Sequence, residues 1–176
     1  MRIVGGEHKG RIIEVSKEFD SRPTTDFARE ALFNILTNYF DFEEISFLDL
    51  FGGTGSISYE CNSRGCRKID LVDINSRSIQ FIAKTAAKMN MKGIHTVKMD
   101  VFRFLEICKT RYNIIFADPP FELKDLEKLP EAVLSQDILL PEGWLILEHP
   151  KKYKFNQNPR FFDTRKYGNI HFSFFR

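Results

Sequence analysis

Short apolar runs alternate with amphipathic stretches through the middle of this chain, and few folds accommodate that alternation. Ile45 to Phe51 is an apolar run ending in Gly52-Gly53-Thr54-Gly55, and Ser56 to Arg64 suits a helix. Lys68 to Asp73 reads as a strand that ends on an acid. Ser76 to Asn90 carries Ile79, Ile82, Ala83, Ala86 and Ala87 at helical spacing. Ile94 to Met99 is a third strand closing at Asp100. Val101 to Cys108 is a short helix, and Tyr112 to Ala117 a fourth strand. Leu123 to Leu134 is expected to be helical and Trp144 to Glu148 a fifth strand. Such alternation predicts an α/β fold with a mostly parallel sheet covered on both faces. Arg160 to Lys166 and Ile170 to Phe175 flank Tyr167-Gly168-Asn169 and predict an antiparallel hairpin. A parallel sheet can carry such a pair at one edge.

The first residues form a preface. Arg2-Ile3-Val4 and Arg11 to Val15 are expected to be two short strands joined across Gly5-Gly6 and Gly10. Thr25 or Asp26 suits the N-cap of a helix to about Tyr39, with Ala28, Leu32, Ile35 and Leu36 as its apolar stripe. One domain is expected at this length. Residues 1–25 would be a β-hairpin extension and 26–176 the core. No apolar run approaches the roughly 20 residues that span a bilayer. The opening Met1 to Gly6 lacks a signal-peptide core. Cys61, Cys66 and Cys108 make neither a CxxC pair nor a disulfide framework, so a cytoplasmic location is expected. Cys61 and Cys66 are expected to face different directions. No His, Cys and acid cluster has metal spacing, so no metal is expected.

Ligands of open parallel sheets bind beyond the carboxyl ends of the strands. The chemistry-bearing residues gather there. The first strand ends in Asp49-Leu50-Phe51-Gly52-Gly53-Thr54-Gly55, where glycines admit a ligand to the backbone and the next helix offers free N–H groups. The second strand ends in Asp73, suited to a ribose diol. The third ends in Asp100, suited to an adenine amine. The fourth ends in Asp118-Pro119-Pro120-Phe121. The two prolines remove donors and stiffen the turn, and Pro120 keeps Pro119 out of helical geometry. A carboxylate, a rigid carbonyl and a ring then converge on a planar group bearing an NH2. A proline turn closing a buried strand is the plainer reading of the same residues.

Two nucleoside cofactors compete for these four stations. Gly53-Thr54-Gly55 begins like a dinucleotide loop, but Ser58 occupies the third glycine position. A dehydrogenase also gives no role to Asp100 or to the proline motif. S-adenosylmethionine uses every station, which favours a methyltransferase.

Charge is unevenly placed. The segment from Lys151 to Arg176 carries +6 and the rest of the chain −4. Lys151, Lys152, Lys154, Arg160, Arg165, Lys166 and Arg176 lie among aromatic residues, a pattern that meets a phosphate backbone or guards edge strands.

These motifs, with the N-terminal blocks, carry a family resemblance. Met1 to Gly6 with Gly10-Arg11, Arg22-Pro23-Thr24-Thr25-Asp26 and Arg29 to Asn34 resemble the bacterial 16S ribosomal RNA guanine-N2 methyltransferases that modify guanine 966. Asp49 to Gly55, Ser63-Arg64-Gly65 and Asp118 to Phe121 match the same family over nearly the whole chain, with Gly53 where the family often has alanine and Asp73 where it commonly has Glu. The resemblance implies a seven-stranded Rossmann-like methyltransferase sheet with an N-terminal hairpin and S-adenosylmethionine as cofactor. It implies that Asp49, Phe51, Gly52, Gly53 and Gly55 hold the methionyl end, Asp73 and Ile74 the ribose, and Asp100 with Val101 the adenine. Asp118 and the Pro119 carbonyl would hold the target amine, with Pro120 stiffening the turn and Phe121 stacking on the base. The implied partner is 16S rRNA or the small ribosomal subunit. Arg22, Thr24 and Thr25 would line the RNA entrance or simply cap the first helix. Arg2, His8, Lys9 and Arg11 would meet phosphate, though Glu7 and Glu14 lie among them. Glu148-His149-Pro150 could approach the substrate but reads more plainly as a strand-ending turn, and His95 and His171 as structural or surface groups. Two rivals stay open: another amino methyltransferase acting on adenine N6, cytosine N4 or a protein glutamine, and a non-catalytic RNA-binding protein of the same fold.

Overall fold

The computed structural model describes residues 1–15, 19 and 24–176. Its strands are β1 (Ser46–Leu50), β2 (Lys68–Asp73), β3 (Ile94–Lys98), β4 (Tyr112–Ala117), β5 (Leu139–Pro150), β6 (Phe161–Tyr167) and β7 (Ile170–Phe175). They form one sheet in the order β3-β2-β1-β4-β5-β7-β6. The first five run parallel, and β7 and β6 add antiparallel at one edge. The chain order reverses between β1 and β4, so the crevice expected of such sheets opens beyond their carboxyl ends.

The helices are α1 (Asp26–Leu36), α2 (Ser56–Ser63), α3 (Ser76–Lys88), α4 (Val101–Ile107) and α5 (Leu129–Leu134). Side chains alternate across the strands. Phe47, Phe116, Phe172 and Phe174 pack with Leu32 and Phe33 of α1 and Ile57 of α2. Leu48, Ile115 and Leu145 pack against Leu105 of α4 and Leu129 of α5. Each such fully buried side chain contributes about 1.5–3 kcal/mol relative to exposure. No helix among the described residues is long and apolar enough to cross a membrane.

The N-terminal preface pairs as expected but is shorter than two strands. A single antiparallel bridge joins Arg2 to Ile12, with hydrogen bonds from Ile3 N–H to Arg11 and from Ile13 N–H to Met1. Its anchorage is ionic and buried. Arg29, 1% exposed, donates to the backbone carbonyls of Thr24 and Arg2 and pairs with Asp26. It lies 3.9 Å from Glu60, which also takes the Val4 N–H and the Arg64 guanidinium. Gly6 has φ +74, and an added Cβ would stand 1.8 Å from the Ser63 carbonyl, so the turn seats tightly on the end of α2.

Three local expectations need correction. The stretch after Leu123 is a turn and a 3-10 segment (Leu126–Lys128) before α5, because Pro130 suits only the first turn of a helix. β5 begins five residues earlier than expected, with its register shifted across Pro141-Glu142-Gly143. Cys61 and Cys66 do not diverge. α2 stops at Ser63, the chain turns through Arg64-Gly65, and the two buried thiols meet.

Candidate active site

The loop after β1 is held open by its own backbone. Phe51 has φ 67 and Gly55, the N-cap of α2, φ 82. A phenylalanine in the left-handed region costs of order 1–3 kcal/mol and is found where surrounding structure imposes it. Gly52 donates to the Val72 carbonyl, and a Cβ there would lie 2.3 Å from a Leu71 methyl. The loop can therefore reach close to the sheet only with glycine at this position. Asp49 is buried and accepts a 2.6 Å hydrogen bond from the Ser58 hydroxyl. That bond explains a serine where a dinucleotide loop needs glycine. Burial pushes the Asp49 carboxyl up to about 7, with Ser58 opposing and the Asp73 charge adding.

The next two stations line the ends of β2 and β3. Asp73 accepts from Gly53 N–H at 2.8 Å and from Asn75 N–H at 2.7 Å. The carboxylate is thereby fixed to the glycine loop, with lone pairs left for a diol. Ile74 is 67% exposed beside it. Asp100 is exposed and caps α4 through one oxygen, on the Arg103 N–H, and the buried Val101 begins that helix.

The proline turn lies across the switch point. Asp118 shares one cleft with Asp49, Phe51, Gly52, Gly53 and Thr24. Pro119 is buried, Pro120 exposed and Phe121 half-buried. The Pro120 carbonyl is not free, since Leu123 N–H donates to it at 2.8 Å. No donor among the described residues reaches the Pro119 carbonyl. Ala117 stands opposite Leu147 in the sheet, so Glu148 comes level with Asp118. Glu148 is 2% exposed and accepts a 2.6 Å hydrogen bond from the Thr24 hydroxyl. Burial pushes Glu148 up to about 7. Asp118 is raised well above the usual carboxylate range by burial first, then by the charges of Glu148 and Asp49.

Asp49 and Asp118 thus line one cleft with Glu148 buried beside Asp118, and no lysine or arginine among the described residues pairs with any of the three. Burial disfavours the ionised form of each. A cationic ligand presenting a sulfonium and an ammonium fits this donor set, because its charge favours the ionised carboxylates. No group of three or more His, Cys, Asp or Glu residues suited to a metal occurs among the described residues.

The cations expected to meet RNA are dispersed. Arg2 is exposed and lies 3.4 Å from Asp26 at the start of α1. Arg11 is exposed nearby. Lys9 sits in the turn held by the end of α2, remote from the glycine loop. Arg22 lies outside the described residues. Thr25 caps α1 through its hydroxyl on the Ala28 N–H. His8 is buried rather than facing phosphate, its N–H on the Ser63 hydroxyl. Glu148, read from the sequence as part of a strand-ending turn that could approach the substrate, stands beside Asp118, its only sequence signal being its place after the apolar run Trp144 to Leu147.

The chain matches, over residues 1–176, a family model described as "Conserved hypothetical protein 95". It is 30% identical over 156 residues to "Putative rRNA methyltransferase YlbH" of Bacillus subtilis, covering 86% of this chain and 84% of that one. It is 32% identical over 145 residues to "Ribosomal RNA small subunit methyltransferase D" of Escherichia coli, covering 82% and 69%. A solved structure titled "Putative methyltransferase yhhF from Escherichia coli" superimposes with TM-score 0.85 and 27% identity, covering 99% of this chain and 96% of that one. With a family model matched from end to end, this chain belongs to the conserved hypothetical protein 95 family, that of the ribosomal RNA small subunit methyltransferase D proteins.

Proposed function

We propose that this protein transfers a methyl group to the exocyclic N2 amine of a guanine in 16S ribosomal RNA, guanine 966 by the family resemblance. The cofactor is S-adenosylmethionine, and residues 1–25 and 26–176 act as one unit, extension and catalytic core. One observation carries the reading: Asp118, with the Pro119 carbonyl beside it unpartnered among the described residues, opens into the same cleft as the Asp49 to Gly53 loop.

When bound, S-adenosylmethionine supplies an electrophilic methyl on a positively charged sulfur. Asp49 and the backbone of Gly52, Gly53 and Gly55 hold its methionyl end, Asp73 and Ile74 its ribose, Asp100 and Val101 its adenine. The rest belongs to the proline turn. A guanine amine is a weak nucleophile because its lone pair is delocalised into the ring. The Asp118 carboxylate and the Pro119 carbonyl accept its two hydrogens, which favours a pyramidal nitrogen and aims the lone pair into the cleft. Such positioning supplies much of the rate. The same acceptors stabilise positive charge growing on nitrogen. The target base leaves its stack at a cost of a few kcal/mol, and stacking on Phe121 returns roughly 1–3 kcal/mol.

The test is transfer of labelled methyl from S-adenosylmethionine to small subunits and to naked rRNA that lack the modification, with mass spectrometry of the nucleosides. N2-methylguanine is expected. Methyl on adenine N6, on cytosine N4 or on protein would reassign the acceptor, and no transfer by folded, cofactor-bound protein would end the proposal.

A further inference from the structure

We infer that the RNA strand flanking the target base lies across a second surface, built by the turn after β5 and the β6–β7 turn, with its phosphates on Lys151, Lys152 and Lys166. The inference rests on the function proposed above and adds where the substrate runs.

Position comes first. Lys151 and Lys152 form the turn closed by the Tyr153 N–H on the Pro150 carbonyl at 3.2 Å. Glu148 is level with Asp118, so Lys151 stands three residues, roughly 10 Å, beyond the proposed catalytic carboxylate. β7 and β6 return to the same end: Ile170 pairs with Pro150 on one side and Tyr167 on the other. Lys166 pairs with His171, which pairs with His149. The charges of Lys166 and Lys151 both act on the His171 ring, helping its burial to hold it below the usual histidine range.

Availability comes second. All three lysines are exposed. None has a carboxylate within salt-bridge distance among the described residues, and Asp163, the acid on β6, is taken by Arg165. At the same end of the sheet, on its α1 face, Phe27 is 71% exposed and meets Tyr167 edge-on at 5.9 Å. Edge-strand lysines commonly block aggregation, but that accounts only for Lys166, since Lys151 and Lys152 lie in a turn outside the ladder. Exposed cations with no carboxylate partner among the described residues, Lys152 lying 4.8 Å over the Tyr153 ring, together with a braced ring at the same end of the sheet match single-stranded RNA, whose phosphates release counterions and whose bases stack.

The experiment compares Lys151→Glu/Lys152→Glu/Lys166→Glu with a charge-matched triple on the far side, Lys84→Glu/Lys88→Glu/Lys92→Glu. Fluorescence anisotropy reads binding of a single-stranded 16S fragment carrying the target guanine across a salt series, and methyl transfer is followed in parallel. The first triple is expected to weaken binding roughly tenfold or more and to flatten the log–log salt slope by about 2, near 0.7 per lost phosphate contact. Its loss of activity falls on the KM for RNA. Phe27→Ala is expected to weaken binding without changing the slope. An unchanged slope in the first triple, or equal losses in both triples, would overturn the surface. Wild-type protein that binds the fragment through these lysines but transfers no methyl would overturn the proposed function and leave the surface standing.

Discussion

The Thr24 hydroxyl donates to the Glu148 carboxylate at 2.6 Å, a buried bond joining residues 124 positions apart where Thr24 lines the cleft. Glu148 in turn raises Asp118. The N-terminal segment is thereby coupled to the proposed catalytic carboxylate through one buried acid.

Removing that acid's charge should move a pH profile. Glu148→Gln takes away a neighbouring negative charge, so Asp118 ionises at lower pH. The acid limb of kcat/KM, which reports the free enzyme, is expected to shift to lower pH. Thr24→Val is expected to shift the limb in the same direction by less, because it deprives Glu148 of the donor that favours its ionised form and so weakens the negative charge beside Asp118. An acid limb unmoved in Glu148→Gln would detach Glu148 from the site.

Asp118→Ala is expected to abolish methyl transfer, by about 100-fold or more, the range for losing one preorganised transition-state partner. Cofactor affinity should persist, because Asp49, Asp73 and Asp100 remain. Rapid-quench methylation and calorimetric titration with S-adenosylmethionine check the two halves. Near-full turnover in the variant would end the assignment of Asp118.

Cofactor binding should release protons. Asp49 and Glu148 are both pushed up to about 7, and Asp118 is raised as well. A cation in the cleft favours their ionised forms, so affinity is expected to rise with pH through about 7. The stability of the free protein has the opposite sign. Carboxyls raised on folding bind more protons in the native state than in the unfolded chain. Stability therefore falls as pH rises from the usual carboxylate range to about 7, and is level above it. Calorimetry at pH 6.5 in buffers of different ionisation enthalpy counts the protons, and thermal melts at pH 5.5 and 8 read the stability. A pH-independent affinity would contradict ionisation of these carboxyls on cofactor binding.

Arg29→Met is expected to destabilise the fold by about 3–5 kcal/mol, the cost of leaving one partner of a buried ion pair. Arg29→Lys should rescue little. One ammonium cannot reproduce guanidinium contacts with Thr24, Arg2, Asp26 and Glu60 at once. Urea unfolding midpoints decide this, and a loss below about 1 kcal/mol would show that the N-terminal segment docks without Arg29.

Much of this architecture is local and therefore legible. β2 and β4 match their expected bounds because each is a short β-rich run closed by an acid or a turn. Thr25 caps α1 because a threonine before an apolar stripe has a local partner in the Ala28 N–H. The 3-10 segment before α5 was obscured because Leu123 to Leu129 keeps an apolar spacing while Pro130 resets the helix start.

The sequence by itself determined which acids end which strands. Spacing along a chain fixes a strand's last residue, and the parallel order then sends those acids to one edge. What only the tertiary structure decided is how they meet there. Glu148 comes level with Asp118 through register between strands, and Thr24 reaches Glu148 only because Arg29 docks the N-terminal segment. Register and docking depend on packing between residues far apart in the chain, and no local pattern encodes that distance.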